Sequence, residues 1–218
     1  MNISLLRKVI SEAIGTAFLV MIVIGSGIMG ENLSTDTLSI LLANTLATGV
    51  GLTTLIWVFI AISGAHFNPA VTVVMLLRRE MTVLDALAYI AAQFLGAMLG
   101  VLMVHAMFDL ALLQSSSNFR GGVNLYLSEG IATFGLLMTI LSVRRLSLLA
   151  VAPAVGLYIS AGYWFTASTS FANPAVTVAR GFTDSFTGID PGFILPFIGA
   201  QLIAALFAML LMRFLLDD

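Results

Sequence analysis

The chain is 218 residues long, 60% hydrophobic and only 9% charged, with a mean hydropathy of +1.07. Soluble domains carry about 25% charged residues, so this composition describes an integral membrane protein. A net charge of −2 gives no basis for a nucleic-acid partner, and the absence of cysteine excludes disulfides and thiolate metal sites.

A spanning helix needs about 20 apolar residues. Six segments meet that need, at about 9–29, 37–62, 82–107, 123–142, 147–167 and 192–215. The first follows Arg7 and Lys8 as a leader peptide would. It is read as a span because it contains Glu12, has no small-residue cleavage site before Glu31, and is matched by a later segment. Two apolar stretches, at about 68–77 and 174–182, are too short to span. Each opens on Asn-Pro-Ala, at Asn68-Pro69-Ala70 and Asn173-Pro174-Ala175. Asn is a favoured N-cap and Pro a favoured first helical residue, so each stretch reads as a half-helix entering the bilayer from a loop. Helix ends at membrane depth are tolerated only where they are buried in protein or line a wet cavity.

The two halves repeat, at about 1–110 and 121–218 of a single channel domain. Ser11-Glu12-Ala13-Ile14-Gly15-Thr16 matches Ser128-Glu129-Gly130-Ile131-Ala132-Thr133, and the segment around Gln93 matches that around Gln201. Three spans per half is an odd number, so the second half must insert upside down, as an inverted repeat. The fold class is therefore an all-α membrane protein of six transmembrane helices and two re-entrant half-helices. With the N-terminus inside, seven cationic residues (Arg7, Lys8, Arg78, Arg79, Arg144, Arg145, Arg213) lie on the cytoplasmic side and two (Arg120, Arg180) outside. The positive-inside rule then puts both termini in the cytoplasm and lets the half-helix N-termini meet near the midplane. Gly96 and Gly100, and Ala47, Gly49 and Gly51, suit close helix packing.

As N-caps, Asn68 and Asn173 accept from their own half-helices, which leaves each amide nitrogen two donors to spare for a passing neutral solute. The positive helix ends disfavour cations and protons there. Glu12 and Glu129 are costly inside spans. They either form a proton or cation path or hold the half-helices through loop N–H groups, and their matched places in the repeat favour the second. Gln93 and Gln201 read as interhelical glue. His66 either lines the cytoplasmic approach or is a satisfied structural group. His105 reads as interfacial. Trp57, Trp164 and Tyr163 are belt or core residues. No metal-ligand cluster, phosphate loop or catalytic triad spacing is present, so neither a cofactor nor an enzymatic activity is expected.

These features resemble the aquaporin (major intrinsic protein) family over nearly the whole chain. The resemblance rests on Ser11-Glu12-x-x-Gly15-Thr16, on Ser63-Gly64-Ala65-His66-Phe67-Asn68-Pro69-Ala70-Val71-Thr72, on Asn173-Pro174-Ala175 and on the order of elements. It implies one pore per subunit, a homotetramer in lipid, and passage of water and small neutral solutes. It also implies that Pro69 and Pro174 start the half-helices. The departure from the family is at Val176, where members usually carry an arginine that forms one wall of the outer constriction. By the same correspondence the second-span aromatic falls at Thr48 and the loop position at Ser170. The fifth-helix position falls on Ala161, Gly162 or Tyr163. Small uncharged side chains at these places imply a wider filter that lacks one positive charge and five guanidinium donors. Similar filters in a bacterial branch imply neutral trivalent arsenic acid or a methylated arsenical as substrate, beside glycerol-like solutes and water, in a bacterial inner membrane. Arg180, one helical turn past Val176, either guards the outer mouth or closes the half-helix C-terminus, with the second favoured. The rival readings are a water-selective channel with an altered filter, a secondary transporter, and a lipid-organising protein without flux.

Overall fold

The computed structural model describes residues 3–216. Its elements in chain order are α1 (Leu5–Leu33), α2 (Thr37–Phe59), α3 (Pro69–Leu77), α4 (Val83–Met107), α5 (Val123–Leu146), α6 (Val151–Phe165), α7 (Pro174–Arg180), a 3₁₀ turn (Pro191–Phe193) and α8 (Ile194–Leu216). Five of these segments are long and apolar enough to cross a bilayer. The sixth anticipated span is shorter than expected. It begins at Val151 rather than near 147, after a turn at Ser147–Ala150, and its 15 residues rise only about 22 Å. Pro153 sits in its first turn, where a missing N–H costs no helical bond. The short helices α3 and α7 open at the two prolines and run 9 and 7 residues.

The packing follows the repeat. In the first half α1 lies along α4, and in the second α5 lies along α8. The halves join through α2 against α6 and through the N-terminal ends of α3 and α7. The α1–α4 seam depends on small residues. A Cβ placed at Gly96 would overlap the backbone carbonyl of Ala13, and one at Gly100 would run into Ala17 and Val20. Without a hydrophobic driving force between helices in lipid, this backbone proximity supplies the dispersion energy that side chains supply elsewhere. The centre of the bundle is apolar, with Val20, Ile24, Val74, Val101 and Leu137 fully buried. Leu6, Val50, Leu87, Leu95, Leu157 and Phe214 lie on the outside with more than half of their surface exposed, as a lipid-facing shell requires.

The seam at Gly96 gives a stability prediction. Gly96→Val forces α1 and α4 apart and costs about 1–3 kcal/mol, the usual penalty of overpacking. It should lower the thermal midpoint of the detergent-solubilised protein. Gly199→Ala, where an added Cβ meets nothing within 4 Å, is the matched control and should not lower the midpoint, since alanine favours the helix over glycine.

Candidate functional site: two half-helices meeting in a lined cavity

Each half-helix begins where its preceding loop is held under strain. Ala65 and Phe67 in the first loop, and Ser170 and Ala172 in the second, have φ between 48° and 54°. A non-glycine residue in this left-handed region carries a cost of roughly 1–3 kcal/mol. The compensation comes from the two buried carboxylates. Glu12 accepts from the backbone N–H groups of His66 (2.9 Å) and Phe67 (2.7 Å) and from Ser63 Oγ (2.6 Å). Glu129 accepts from the N–H groups of Phe171 and Ala172, both at 2.9 Å. Both carboxylates are completely buried and neither lines the cavity. Of the two readings of these acids, the geometry carries the supporting one: their oxygens are occupied by loop donors.

The glutamines complete the frame. Gln93 Nε2 donates to Glu12 (2.9 Å) and to Thr72 Oγ1 (2.9 Å), and Gln201 Nε2 donates to Glu129 (2.7 Å) and to Thr177 Oγ1 (2.9 Å). Thr72 and Thr177 in turn donate to the carbonyls of Asn68 and Asn173. These threonines are functional-frame residues that sequence reasoning did not single out. Their signal was present, in the identical fourth position after each asparagine.

Asn68 and Asn173 cap their helices as anticipated. Asn68 Oδ1 accepts from Ala70 N (2.9 Å) and Asn173 Oδ1 from Ala175 N (3.0 Å). Their amide nitrogens do not keep two free donors, however. Asn68 Nδ2 donates to Ala172 O (2.7 Å), and Asn173 Nδ2 donates to Phe67 O (2.8 Å). The crossed bonds tie each half-helix to the opposite loop, so one N–H per asparagine remains.

A cavity of about 340 Å³ runs past this junction. At one end it is lined by Lys8, Glu80, Asp85 and Arg144, near the C-terminus of α3, and at the other by Arg180, at the C-terminus of α7. Asn68, Asn173, His66, Thr48, Tyr163, Ser170 and Val176 all line it, between apolar walls that include Leu52, Ile56, Val155 and Ile159. His66 packs edge-on against Tyr89 and lies 3.1 Å from Thr72 Oγ1 through Nδ1, so it is both a lining residue and a held one. At the first end Glu80 receives Arg144 (2.6 Å) and Arg78 (2.9 Å). Partial burial pushes the Glu80 carboxyl up, but the hydrogen bonds from Arg78 and Arg144 outweigh it and hold the group below its usual range.

The structure decides the fifth-helix position. Ala161 is exposed on the outside of the bundle. Gly162 is absent from the cavity wall and instead makes room for Ser170, whose Oγ a Cβ at Gly162 would strike. Tyr163 is the lining residue, and its hydroxyl lies 3.2 Å from Thr48 Oγ1. The cavity wall at this place therefore carries a tyrosine ring beside its small residues. Ser170 lines the cavity, but its hydroxyl is turned against Gly162, buried and without a hydrogen-bond partner. Arg180 is 2% exposed, lies in the cavity wall, and stacks its guanidinium 3.3 Å above the centroid of the Phe171 ring. Its Nε donates to the carbonyl of Thr187, not to the final carbonyls of α7. It is therefore neither interfacial nor a helix-closing residue. His105 is likewise not interfacial. It is fully buried, with Nδ1 at 3.0 Å from Leu112 O and Nε2 at 3.0 Å from Thr183 Oγ1. Trp57 and Trp164 are about half exposed, so neither is a core residue, and Trp57 Nε1 donates to Leu149 O.

Two opposed half-helices, meeting by their capped N-termini beside a lined cavity within a bundle of apolar helices, define a membrane channel. Residues 1–147 match the major intrinsic protein family, and the chain belongs to that family of channels. It is 50% identical to an aquaglyceroporin, AqpS of Rhizobium meliloti (strain 1021), over 213 residues, covering 98% of this chain and 91% of that one. It is 30% identical to aquaporin-1 of Rattus norvegicus over 224 residues, covering 94% of this chain and 82% of the relative. The X-ray structure of the aquaglyceroporin from Plasmodium falciparum has the same fold, with a TM-score of 0.73 at 25% identity over 98% of each chain.

The carboxylate frame makes a direct prediction. Glu129→Gln replaces one acceptor oxygen by an NH₂ that faces other donors, and leaves a buried loop N–H without a partner. The expected cost is about 1–3 kcal/mol, seen as a lower thermal midpoint and a lower yield of folded protein. An unchanged midpoint would show that the second loop does not depend on this carboxylate.

Proposed function

We propose that the protein is a passive, bidirectional channel for small uncharged solutes, among them glycerol-like polyols and neutral trivalent arsenic acid or a methylated arsenical, with water passing as well. The observation that carries this reading is the pair of asparagines. Each has one amide N–H left over after the crossed bonds, and both line the same cavity where two positive helix ends converge. A neutral oxygen can accept from both donors as it passes, while a cation meets two like-signed partial charges and no carbonyl-rich cage. Glu12 and Glu129 are occupied by loop donors and neither lines the cavity, which argues against a carboxylate-coupled secondary transporter. Val176 leaves the wall beside Asn173 apolar and short, and the 50% identity to an aquaglyceroporin supports solutes larger than water. A functional homotetramer in a bacterial inner membrane, with both termini cytoplasmic, accords with the family and with the seven-to-two distribution of cationic residues.

One observation favours the narrower alternative of a water-selective channel. Tyr163 lies 3.2 Å from Thr48 Oγ1 through its hydroxyl, and its ring takes up space in the cavity that Val176 also lines. The two readings separate in proteoliposomes by stopped-flow light scattering under inward gradients of glycerol, urea and neutral arsenous acid, with an impermeant osmolyte reporting water. Rapid reswelling with a solute supports the wide filter, and water flux alone supports the narrower one. Val176→Arg should cut permeation of the larger solutes by on the order of tenfold, while water falls less. Equal loss of both fluxes, or no change in either, would remove Val176 from the filter.

A further inference from the structure

Val176 is not the end of the cationic story in this channel. One helical turn later, Arg180 reaches the same cavity, and its surroundings are built to aim it. The guanidinium lies flat on Phe171, whose own backbone N–H is fixed by Glu129. Nε is held by the Thr187 carbonyl. Among the described residues this is the guanidinium's one hydrogen bond, and Arg180 lines the cavity.

The loop that carries Thr187 is braced from two sides. Arg120 donates to the carbonyls of Gly188 (2.8 Å), Phe186 (3.3 Å) and Ser168 (3.3 Å), and lies 5.1 Å from the same Phe171 ring. From the other side a buried chain of hydroxyls leads back to α4. His105 Nε2 meets Thr183 Oγ1 (3.0 Å), Thr183 meets Ser185 Oγ (3.1 Å), and Ser185 meets Thr187 Oγ1 (3.2 Å). His105 Nδ1 faces a carbonyl, which only accepts, so Nδ1 carries a proton. All four side chains are buried.

We propose that Arg180 is the specificity-determining cation of the outer constriction, taking the role that Val176 leaves vacant, and that the hydroxyl chain anchored on His105 positions it. This rests on the channel reading given above. The chemistry selects a class of solute. Two parallel N–H groups on a rigid fork match two neighbouring oxygens on one solute, as in a vicinal diol or a polyhydroxy acid of a single central atom, better than the lone oxygen of urea. The fixed charge repels cations at the same point.

The test uses the full-length protein in proteoliposomes, with glycerol and urea gradients read by stopped-flow scattering and potassium leak read by a potential-sensitive dye. Arg180→Ala should lower the glycerol-to-urea flux ratio by about tenfold, the lower end expected when a charged hydrogen-bonding partner is lost, and should raise the potassium leak. Arg180→Lys keeps a point charge without the fork, so it should restore cation rejection and not the flux ratio. It also decides the matter should the alanine variant fail to fold. The positioning role is read by Thr183→Val, which removes the middle of the chain at nearly constant shape. It should shift the ratio in the same direction in the wild-type background and leave it unmoved when Arg180 is already alanine. Equal shifts in both backgrounds, or none, would overturn the positioning role. A folded Arg180→Ala channel with wild-type ratio and leak would overturn the assignment of Arg180 while leaving the channel reading intact. Absence of any solute flux in the wild type would overturn both.

Discussion

A helix that begins in the middle of a bilayer must be preceded by a loop whose backbone N–H groups have no water to bond. In this protein the whole pore hangs on how that demand is met. Glu12 and Glu129 reach from α1 and α5 into the two loops and accept from paired N–H groups. A neutral acceptor would bond more weakly, and hydrogen bonds to an ionised group are roughly twice as strong as neutral ones. That strength offsets the left-handed conformation of Ala65, Phe67, Ser170 and Ala172, and the strain in turn is what points each asparagine at the junction. The cost of burying two carboxylates is therefore tied directly to the geometry that conducts.

The crossed bonds between the halves have a second consequence. Because Asn68 donates to Ala172 and Asn173 to Phe67, neither half-helix is seated by its own repeat alone. Each loop supplies an acceptor to the other, and the spacing of the remaining N–H pair is set by a mutual contact rather than by two independent supports. Such an arrangement is rigid because displacement of one half-helix breaks bonds on both. The price in donors is one per asparagine, so two N–H groups remain at the junction where four were available in principle.

The outer constriction follows a different logic from the junction. Its cation has no repeat counterpart: counted from the two asparagines, Arg180 corresponds to Met75, which lines the cavity with an apolar side chain. Its parts come from α2 (Thr48), α6 (Tyr163), the second loop (Ser170, Phe171) and the end of α7 (Arg180), together with the loop 181–190 that lies behind it. The junction is built from matched parts of the two halves, and the rim at Arg180 is built from unmatched ones.

The sequence by itself determined the membrane class, the six spans and two half-helices, the repeat, and the matched roles of Glu12 with Glu129 and of Gln93 with Gln201, because these rest on hydropathy, proline and asparagine chemistry, and internal identity, all of which are local or periodic. Tertiary structure alone decided which of Ala161, Gly162 and Tyr163 faces the pore, since the answer depends on the rotation of α6 against α2 and on the space that Gly162 leaves for Ser170. It also decided that each asparagine spends one donor across the junction, a bond between residues 104 and 106 positions apart. His105 was misjudged, and the cavity-lining reading of Arg180 was ranked second of two, for the same physical reason. Each lies near the end of a helix, where sequence reasoning expects water, and each is enclosed by a loop whose path no local pattern encodes.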